Sequence, residues 1–589
     1  MVTEESLISC LCDLGSDVPD KSVVDRCLQL CHAYSIDTET FVELWVSHTV
    51  SHSLNISPTL EDLNDLEEEE LKKNKNDIET ISHSVSNIDI DVQTLQETTN
   101  NVLDIYSIEQ SSQHIKRVRS PDIDTGNDNK IRAVDHTFSP PTYTPKANVP
   151  KRGLSTNVRG KVLLRFGPDI QTRKEQDEYH VSIGKASSSH VPKDVVYMYE
   201  MLSKEGAALT SNCESFGNRL CHIWNEMGPA NSNVRYVRNV VTVSQVAFRT
   251  WGRVSVRIDK STSSKMVMLE GCKRCKGDNN GPIIRLDFSG MKQYSIFPGQ
   301  IIAVEGVNPT GNCLLVNKIF VKGYALLADA PKLSKDLRVY VAVGPFTTSD
   351  NLNYQPLWDL MENVAKEQPD VLILVGPFVE YTHPEIKKCT LKDTFQEFFD
   401  KLLSRILRYV QGGSTRVVLV SSNRDAHHDA VFPTPEYAIY TNKIKLNTAN
   451  LYSMPDPCVI NVEGLQIGVT SVDILRHLGQ QEVSKTFGMD RLGRLADHVL
   501  SQATFYPLYP PFESLNFDTM LWMKYACFEQ QPHIMILPSD VRYYCNTVNE
   551  TLVVNPERLQ KYIYAKLCIR PTSNGKWEPK NVSCEIAKV

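Results

Sequence analysis

No stretch of the 589-residue chain approaches the roughly 18 consecutive apolar residues that a bilayer-spanning helix requires, so no such helix is expected. The amino-terminal residues, MVTEESLISC, carry acids and no basic region ahead of a short apolar patch, so neither a secretory signal nor a transit peptide is expected. A surplus of positive charge is also missing. A net charge of −7 argues against coating nucleic acid by displacing counterions in bulk, and any DNA contact is expected to be local, weak or made through a partner. The fifteen cysteines follow no framework spacing, which in a reducing compartment makes them buried small hydrophobes and leaves disulfides unexpected. Several catalytic signatures are absent as well: no phosphate-binding P-loop, no Gly-x-Gly-x-x-Gly after a strand and no Gly-x-Ser-x-Gly elbow.

What is present divides into four segments, as a chain too long for one core should. Over residues 1–54 apolar positions recur at helical spacing, at Leu7, Ile8, Leu11 and Leu14, then Val23, Val24, Cys27 and Cys31, then Phe41, Leu44 and Trp45. Asp20 and Asp37 stand where helix N-caps belong, and a small helical domain is expected. Residues 55–150 change character: positions 61–80 hold nine acids against three lysines, and only Tyr106, Phe138 and Tyr143 supply aromatics between 81 and 150. Such a stretch cannot bury enough apolar surface to offset chain entropy, so a disordered, acidic, Ser/Thr/Pro-bearing linker is expected. Ser120, Ser139 and Thr144 each precede a proline there, with Lys116, Arg117 and Arg119 close by, which makes them candidate phosphorylation sites.

Residues 155–330 break into short β-runs at 161–166, 240–243, 253–258, 266–269, 283–288, 300–305 and 314–321, several of them alternating polar with apolar. About five such strands in a curled antiparallel sheet imply an OB-type barrel, with a β-sandwich as the alternative. From 337 to 589 continuous apolar strands at 338–343, 371–375, 416–420, 459–462, 467–470 and 534–537 are interleaved with helical stretches near 356–367 and 391–409. That pattern implies a sheet covered on both faces. The whole reads as a multidomain α+β chain.

In a sheet of that kind the site forms beyond the carboxyl ends of the strands. Here those ends carry residues 344–350, 376–380, 422–425 and 538–541. They resemble the strand ends of calcineurin-like metallophosphoesterases, whose ligand motifs are Asp-x-His, Gly-Asp-x-x-Asp, Gly-Asn-His-Asp or -Glu, and Gly-His-x-His. The ligands themselves are gone. Pro345 and Phe346 coordinate nothing, and Pro377 stands where a bridging Asp is expected, leaving Glu380 without the carboxylate it would work beside. Asn423 and Asp425 persist, but Arg424 replaces the proton-donating His and puts a fixed cation where two metals would sit. Ser539 falls in a motif stripped of histidine. Neither a metal nor a cofactor is expected.

Three further features have the look of a site and read otherwise. His427, His428 and Asp429 look like a metal cluster but read as an exposed loop, because adjacent side chains of an extended loop point apart. Cys272 and Cys275 have the spacing of half a zinc knuckle with no second pair nearby, and read as a β-turn. His533 precedes its strand, which favours a core or surface role.

The phrases VAVGPFTTSDNLNYQPL, PDVLILVGPFVE, VVLVSSNRDAHHD and ILPSDVRYY, together with the joint loss of ligands, resemble the accessory B subunits of eukaryotic B-family DNA polymerases over roughly residues 155–589. The helical module and long linker favour the alpha branch over delta, with the epsilon branch as an alternative. The resemblance implies an OB-fold joined to an inactive phosphoesterase-like domain. It also implies a nuclear scaffold, not an enzyme, that holds the zinc-bearing C-terminal region of the alpha catalytic subunit and, through it, primase, in RNA–DNA primer synthesis. Two other classes stay open. One is an active metallophosphoesterase or nuclease. The other is an autonomous single-stranded-DNA binder, for which Trp251, Phe248 and Arg253 would have to face outward from the barrel; alternating strand residues are more often core.

Overall fold

A computed structural model describes residues 7, 21–34, 41, 45, 58–67 and 160–589, the last range excepting 171–180, 187–189, 228–233, 259–264, 273–281, 390, 441–447, 487–489 and 573–574. The chain divides into two units, Met1–Thr144 and Pro145–Val589.

In the first unit, α1 (Lys21–Tyr34) and α2 (Leu60–Leu66) bury one apolar core. Val23, Val24, Cys27, Leu30 and Cys31 of α1 meet Leu63 and Leu66 of α2, with Leu7, Phe41 and Trp45. Thr59 caps α2 by accepting from Asp62 N at 3.3 Å, and Arg26 reaches Glu67 at 2.7 Å. The helical module therefore extends beyond residue 54, into what the acidic composition marked as linker. Leucines spaced by three give that acidic segment one buried side, which a count of charges overlooks. Asp20 and Asp37 lie outside the described residues, as do Ser120, Ser139 and Thr144.

The second unit opens with β1 (Val162–Phe166) and β2 (Ile183–Lys185), followed by α3 (Leu202–Met227). A closed five-stranded barrel comes next: β3 (Ser244–Ile258), β4 (Lys265–Glu270), β5 (Ile283–Asp287), β6 (Ile301–Asn308) and β7 (Cys313–Phe320), joined in the order β3-β4-β5-β7-β6. This is the expected OB-type barrel, with two corrections. The run 240–243 is a turn ahead of β3, and the run 161–166, expected in the barrel, is β1 and pairs elsewhere. Helix α3, unexpected from the sequence, packs Cys213, Leu220, Cys221 and Trp224 against Trp251, Ile301 and Ala303 of the barrel wall. Gly217 is needed at the contact, because a Cβ there would stand 1.9 Å from the Trp251 ring.

The strands that build the sandwich are β8 (Leu337–Val343), β9 (Val371–Val375), β10 (Arg416–Val420), β11 (Leu451–Met454), β12 (Cys458–Val462), β13 (Leu465–Val469), β14 (Ile534–Ile536), β15 (Tyr544–Val548), β16 (Thr551–Asn555), β17 (Ile563–Ile569) and β18 (Val582–Lys588), with β1 and β2. They make two sheets, ordered β1-β18-β17-β8-β9-β10-β11 and β15-β16-β14-β13-β12-β2. Val339, Val341, Ile373 and Val418 of the first sheet share a core with Ile460, Ile467, Ile534 and Val554 of the second, so the two pack face to face. Outside the first lie α4 (Gln355–Glu367) and α5 (Phe395–Val410); outside the second lie α6 (Ile474–Gln481) and α7 (Arg491–Ser501). Strands buried on both faces explain why their sequences are continuous apolar runs. The result is an α/β sandwich, two sheets face to face with helices outside each.

The barrel is fastened to this sandwich by polar contacts. Gln502 exchanges two hydrogen bonds with the backbone of Ile301, at 2.9 and 3.1 Å, and Tyr324 donates to Asp497 at 2.7 Å. Tyr294–Ile296 pairs with Val483–Lys485 as a small antiparallel sheet. At its edge Glu482 accepts from Arg494 at 2.8 Å, close to His498 and Ser295.

Candidate functional site

The loops that leave β8, β9 and β10 converge above the carboxyl ends of the parallel strands. Their approach is close enough to require glycine: a Cβ on Gly344 would lie 2.0 Å from Pro377 O, and one on Gly376 would lie 2.4 Å from the Tyr437 hydroxyl. Pro345 and Pro377 both follow cis peptide bonds and are buried. Phe346 and Phe378 stack at 4.6 Å between ring centres and are fully buried, so aromatic carbon fills space at the centre of the loops.

Asp425 lies under these rings with no exposure. Its Oδ1 accepts from Phe378 N at 2.7 Å and Val379 N at 2.6 Å, and its Oδ2 accepts from the Tyr437 hydroxyl at 2.5 Å. Burial pushes its carboxyl up to about 7 despite those donors. Three of its acceptor directions are spent on holding loops together. Arg424 turns instead to Glu380, at 2.5 Å, and Glu380 also accepts from Thr382 at 2.8 Å. Asn423 is half-buried beside them.

On the second sheet Ser539 is buried and donates to Asp473 at 2.5 Å. A residue that the sequence does not announce completes the arrangement. Arg558, fully buried after β16, donates to Gly344 O at 3.3 Å and to Asp540 at 3.0 Å, and comes within 3.9 Å of Asp473. Burial works against an ionised Asp540, but Arg558, Arg424 and Arg476 outweigh it and hold the carboxyl below its ordinary value. The cleft thus holds guanidinium groups among its carboxylates. Among the described residues no group of three or more His, Cys, Asp or Glu is arranged to hold a metal ion. The signal that could have found Arg558 is the apolar run 551–555, which it follows by three residues and which forms a strand absent from the expected set.

The three look-alike features resolve differently. His427 and His428 do not sit on an exposed loop: the His427 side chain is 2% exposed and stacks on Phe399 at 4.1 Å, while His428 bonds Pro435 O at 2.7 Å. Burial depresses His427 to about 3, so it packs as a neutral ring. The phenylalanine that receives it comes from α5, and Tyr437 lies ten residues farther along the same loop. His533 is a core residue, accepting from Gln466 N at 2.9 Å. Cys272 is half-buried, and Cys275 lies outside the described residues. In the barrel, Phe248 points into the core while Trp251 and Arg253 are covered near α3, so these three do not make a stacking platform.

Residues 339–546 match the family model described as the B subunit of DNA polymerases alpha and epsilon. Residues 5–73 match the model for the N-terminal region of the DNA polymerase alpha B subunit, and residues 208–322 match the model for its OB domain. Among curated relatives, the DNA polymerase alpha B subunit of Drosophila melanogaster is 29% identical over 100% of both chains. The protein of the same name from Mus musculus is 30% identical over 73% of this chain and 71% of its own. That of Bos taurus is 27% identical over 89% and 88%. With two of the three models specific to alpha, and barrel, sandwich and helical module all accounted for, the chain belongs to the family of DNA polymerase alpha B subunits.

Proposed function

We propose that this chain is a non-catalytic, nuclear scaffold that grips the zinc-bearing C-terminal region of the polymerase alpha catalytic subunit and, through it, primase, in the synthesis of RNA–DNA primers. Membership of an accessory-subunit family supports the scaffold role. The observation that supports a protein partner is a run of apolar side chains in water: between residues 196 and 202, Val196, Met198, Tyr199, Met201 and Leu202 are all exposed, Tyr199 by 82% and Leu202 by 83%. Isolated apolar residues on a surface need no explanation, but a contiguous strip does. This one lies between sandwich and barrel. Met198 N is held by Asp518 at 2.8 Å, and Leu202 begins the helix that packs on the barrel wall. A partner seated there touches both.

Changing Tyr199 and Leu202 together to serine in the full chain is expected to weaken binding of the catalytic subunit's C-terminal region by about tenfold or more, equivalent to about 1.4 kcal/mol, without moving the thermal midpoint. Titration calorimetry reads this directly. An unchanged affinity would sink the assignment of this surface.

The degenerate strand ends, Pro345, Phe346, Pro377, Glu380, Asn423, Arg424, Asp425 and Ser539, are proposed to have structural roles only. Purified protein with manganese is expected to hydrolyse neither phosphodiesters nor phosphomonoesters above background. A hydrolytic activity that disappears in Asn423→Ala would restore the metallophosphoesterase reading. Regulation through Ser120, Ser139 and Thr144 is part of the same proposal, since phosphate there adds nearly two negative charges to a segment whose composition does not favour a packed core.

A further inference from the structure

Two cysteines on different elements meet where α3 crosses the end of β4. Cys213, buried, projects from the helix face that packs on the barrel, and Cys272, half-buried, follows β4 by two residues. Their thiols are close enough to share a hydrogen bond. Both also line one cavity of about 300 Å³ whose wall includes Arg253, Glu270 and Tyr509. A sulfur that borders such a space can be reached by a small molecule; one sealed in a core cannot.

Arg253 is the second feature of the site. It is 8% exposed, its Nη2 donates to Leu209 O at 3.0 Å, and its guanidinium lies 5.5 Å from the Tyr509 ring centre. Its Nε has no acceptor, and no carboxylate forms an ion pair with it among the described residues. A nearly buried cation favours an anion beside it. The hydrogen bond from Cys213 holds the Cys272 thiol below its ordinary value; burial, Glu214 and Glu270 oppose this, and Arg253 adds to it. The same hydrogen bond, together with burial, pushes Cys213 up. One sulfur is thus disposed to be the thiolate and the other its proton-bearing neighbour.

We infer that Cys213 and Cys272 form a redox-responsive dithiol, a modification site at which a two-electron oxidant such as hydrogen peroxide closes a disulfide between α3 and the end of β4. In the first step the Cys272 thiolate attacks one peroxide oxygen: an S–O bond forms, the O–O bond breaks and hydroxide leaves. In the second, the Cys213 sulfur attacks the resulting sulfenic sulfur: the S–S bond forms, the S–O bond breaks, and the departing hydroxide takes the thiol proton as water. Two thiols and one peroxide give one disulfide and two waters, the sulfurs being oxidised and the peroxide reduced.

The chain carries its own control. Cys545 and Cys584 also share a hydrogen bond, but both sit in the apolar core between the two sheets, where that bond and burial push Cys584 well up. Proximity alone should therefore leave that pair inert.

The test treats the full-length protein with hydrogen peroxide, blocks remaining thiols, and digests it without reductant for mass spectrometry. The expected product is a peptide pair joined through Cys213 and Cys272 that reductant separates, with no Cys545–Cys584 cross-link. In Cys213→Ser, or in Cys213→Ala where a buried hydroxyl lowers stability, Cys272 should stop at the sulfenic acid and be captured by dimedone. Arg253→Gln should slow cross-linking by roughly tenfold while leaving the circular dichroism spectrum unchanged. Cross-linking of Cys272 to Cys275, equal rates for the two pairs, or no cross-link at peroxide levels that oxidise free glutathione would each overturn the inference.

Discussion

Replacing Glu305 with alanine is expected to destabilise the barrel and its helix by about 3–5 kcal/mol, because it strands a buried guanidinium. Glu305 on β6 accepts from Arg249 Nε on β3 at 2.8 Å, with side-chain exposures of 9% and 4%, and from Lys318 on β7 at 3.1 Å. Arg249 is further enclosed by Trp224 of α3, whose ring centre lies 4.3 Å from the guanidinium carbon. So covered a site gives solvent little room to replace the lost carboxylate. The pair is not worth that much in itself, since two charges taken out of water recover little beyond their desolvation. A double change, Arg249→Met with Glu305→Leu, should therefore recover most of the loss. Urea unfolding of the two variants checks both statements; a loss below about 1 kcal/mol in Glu305→Ala would show that the cation finds another partner.

The second large effect is expected at Asp425. Changing it to alanine leaves Phe378 N, Val379 N and the Tyr437 hydroxyl without their acceptor beneath a pair of stacked rings, at a cost of about 3 kcal/mol. Asparagine keeps an acceptor for the two amides and should cost less. The two variants also separate in pH. Burial lifts the Asp425 carboxyl from 3.8 to about 7, so the folded chain binds a proton more tightly than the unfolded one. Stability from this group is complete below the unfolded value and is lost as pH rises through about 7. Asp456, lifted by burial to about 6, acts in the same direction. Asp425→Asn should flatten that decline, visible as a smaller drop in thermal midpoint between about pH 5 and about pH 8. An undiminished drop would mean that the proton is held elsewhere.

The strand ends at 344–346, 376–380 and 422–425 were legible in the sequence because short, β-branched apolar runs such as 371–375, each followed by Gly-Pro or a polar turn, fit strands buried on both faces, whose following residues meet at one edge of the sheet. Helix α3 was not legible. Its buried positions Cys213, Gly217, Leu220, Cys221 and Trp224 follow helical spacing, but glycine, serine and cysteine among them keep the apolar signal weak. The burial of His427 depends on Phe399 of α5, which only the tertiary fold brings beside it, and on how the loop carrying Tyr437 folds back. Arg558 escapes notice because the strand it follows, 551–555, is only five residues long with a threonine and an asparagine at its ends, and with it goes one of the three guanidiniums that act on Asp540. Local pattern finds elements; it does not find which loop a distant arginine will enter.

The pairing of β1 with β18 makes the barrel an insert: residues 162–166 and 582–588 are neighbours in one sheet, with the barrel sequence lying between them. During synthesis β1 emerges long before β18, its strand partner among the described residues, exists. Its edge must wait, exposed, through more than four hundred residues of translation, and the sheet closes when 582–588 arrive. A chain stopped short of those residues would carry a folded barrel on an unclosed sandwich, with β1 as a free strand able to pair with other chains. Quality control of this protein would therefore act on the sandwich edge and leave the barrel, complete by residue 320, unaware that anything is missing.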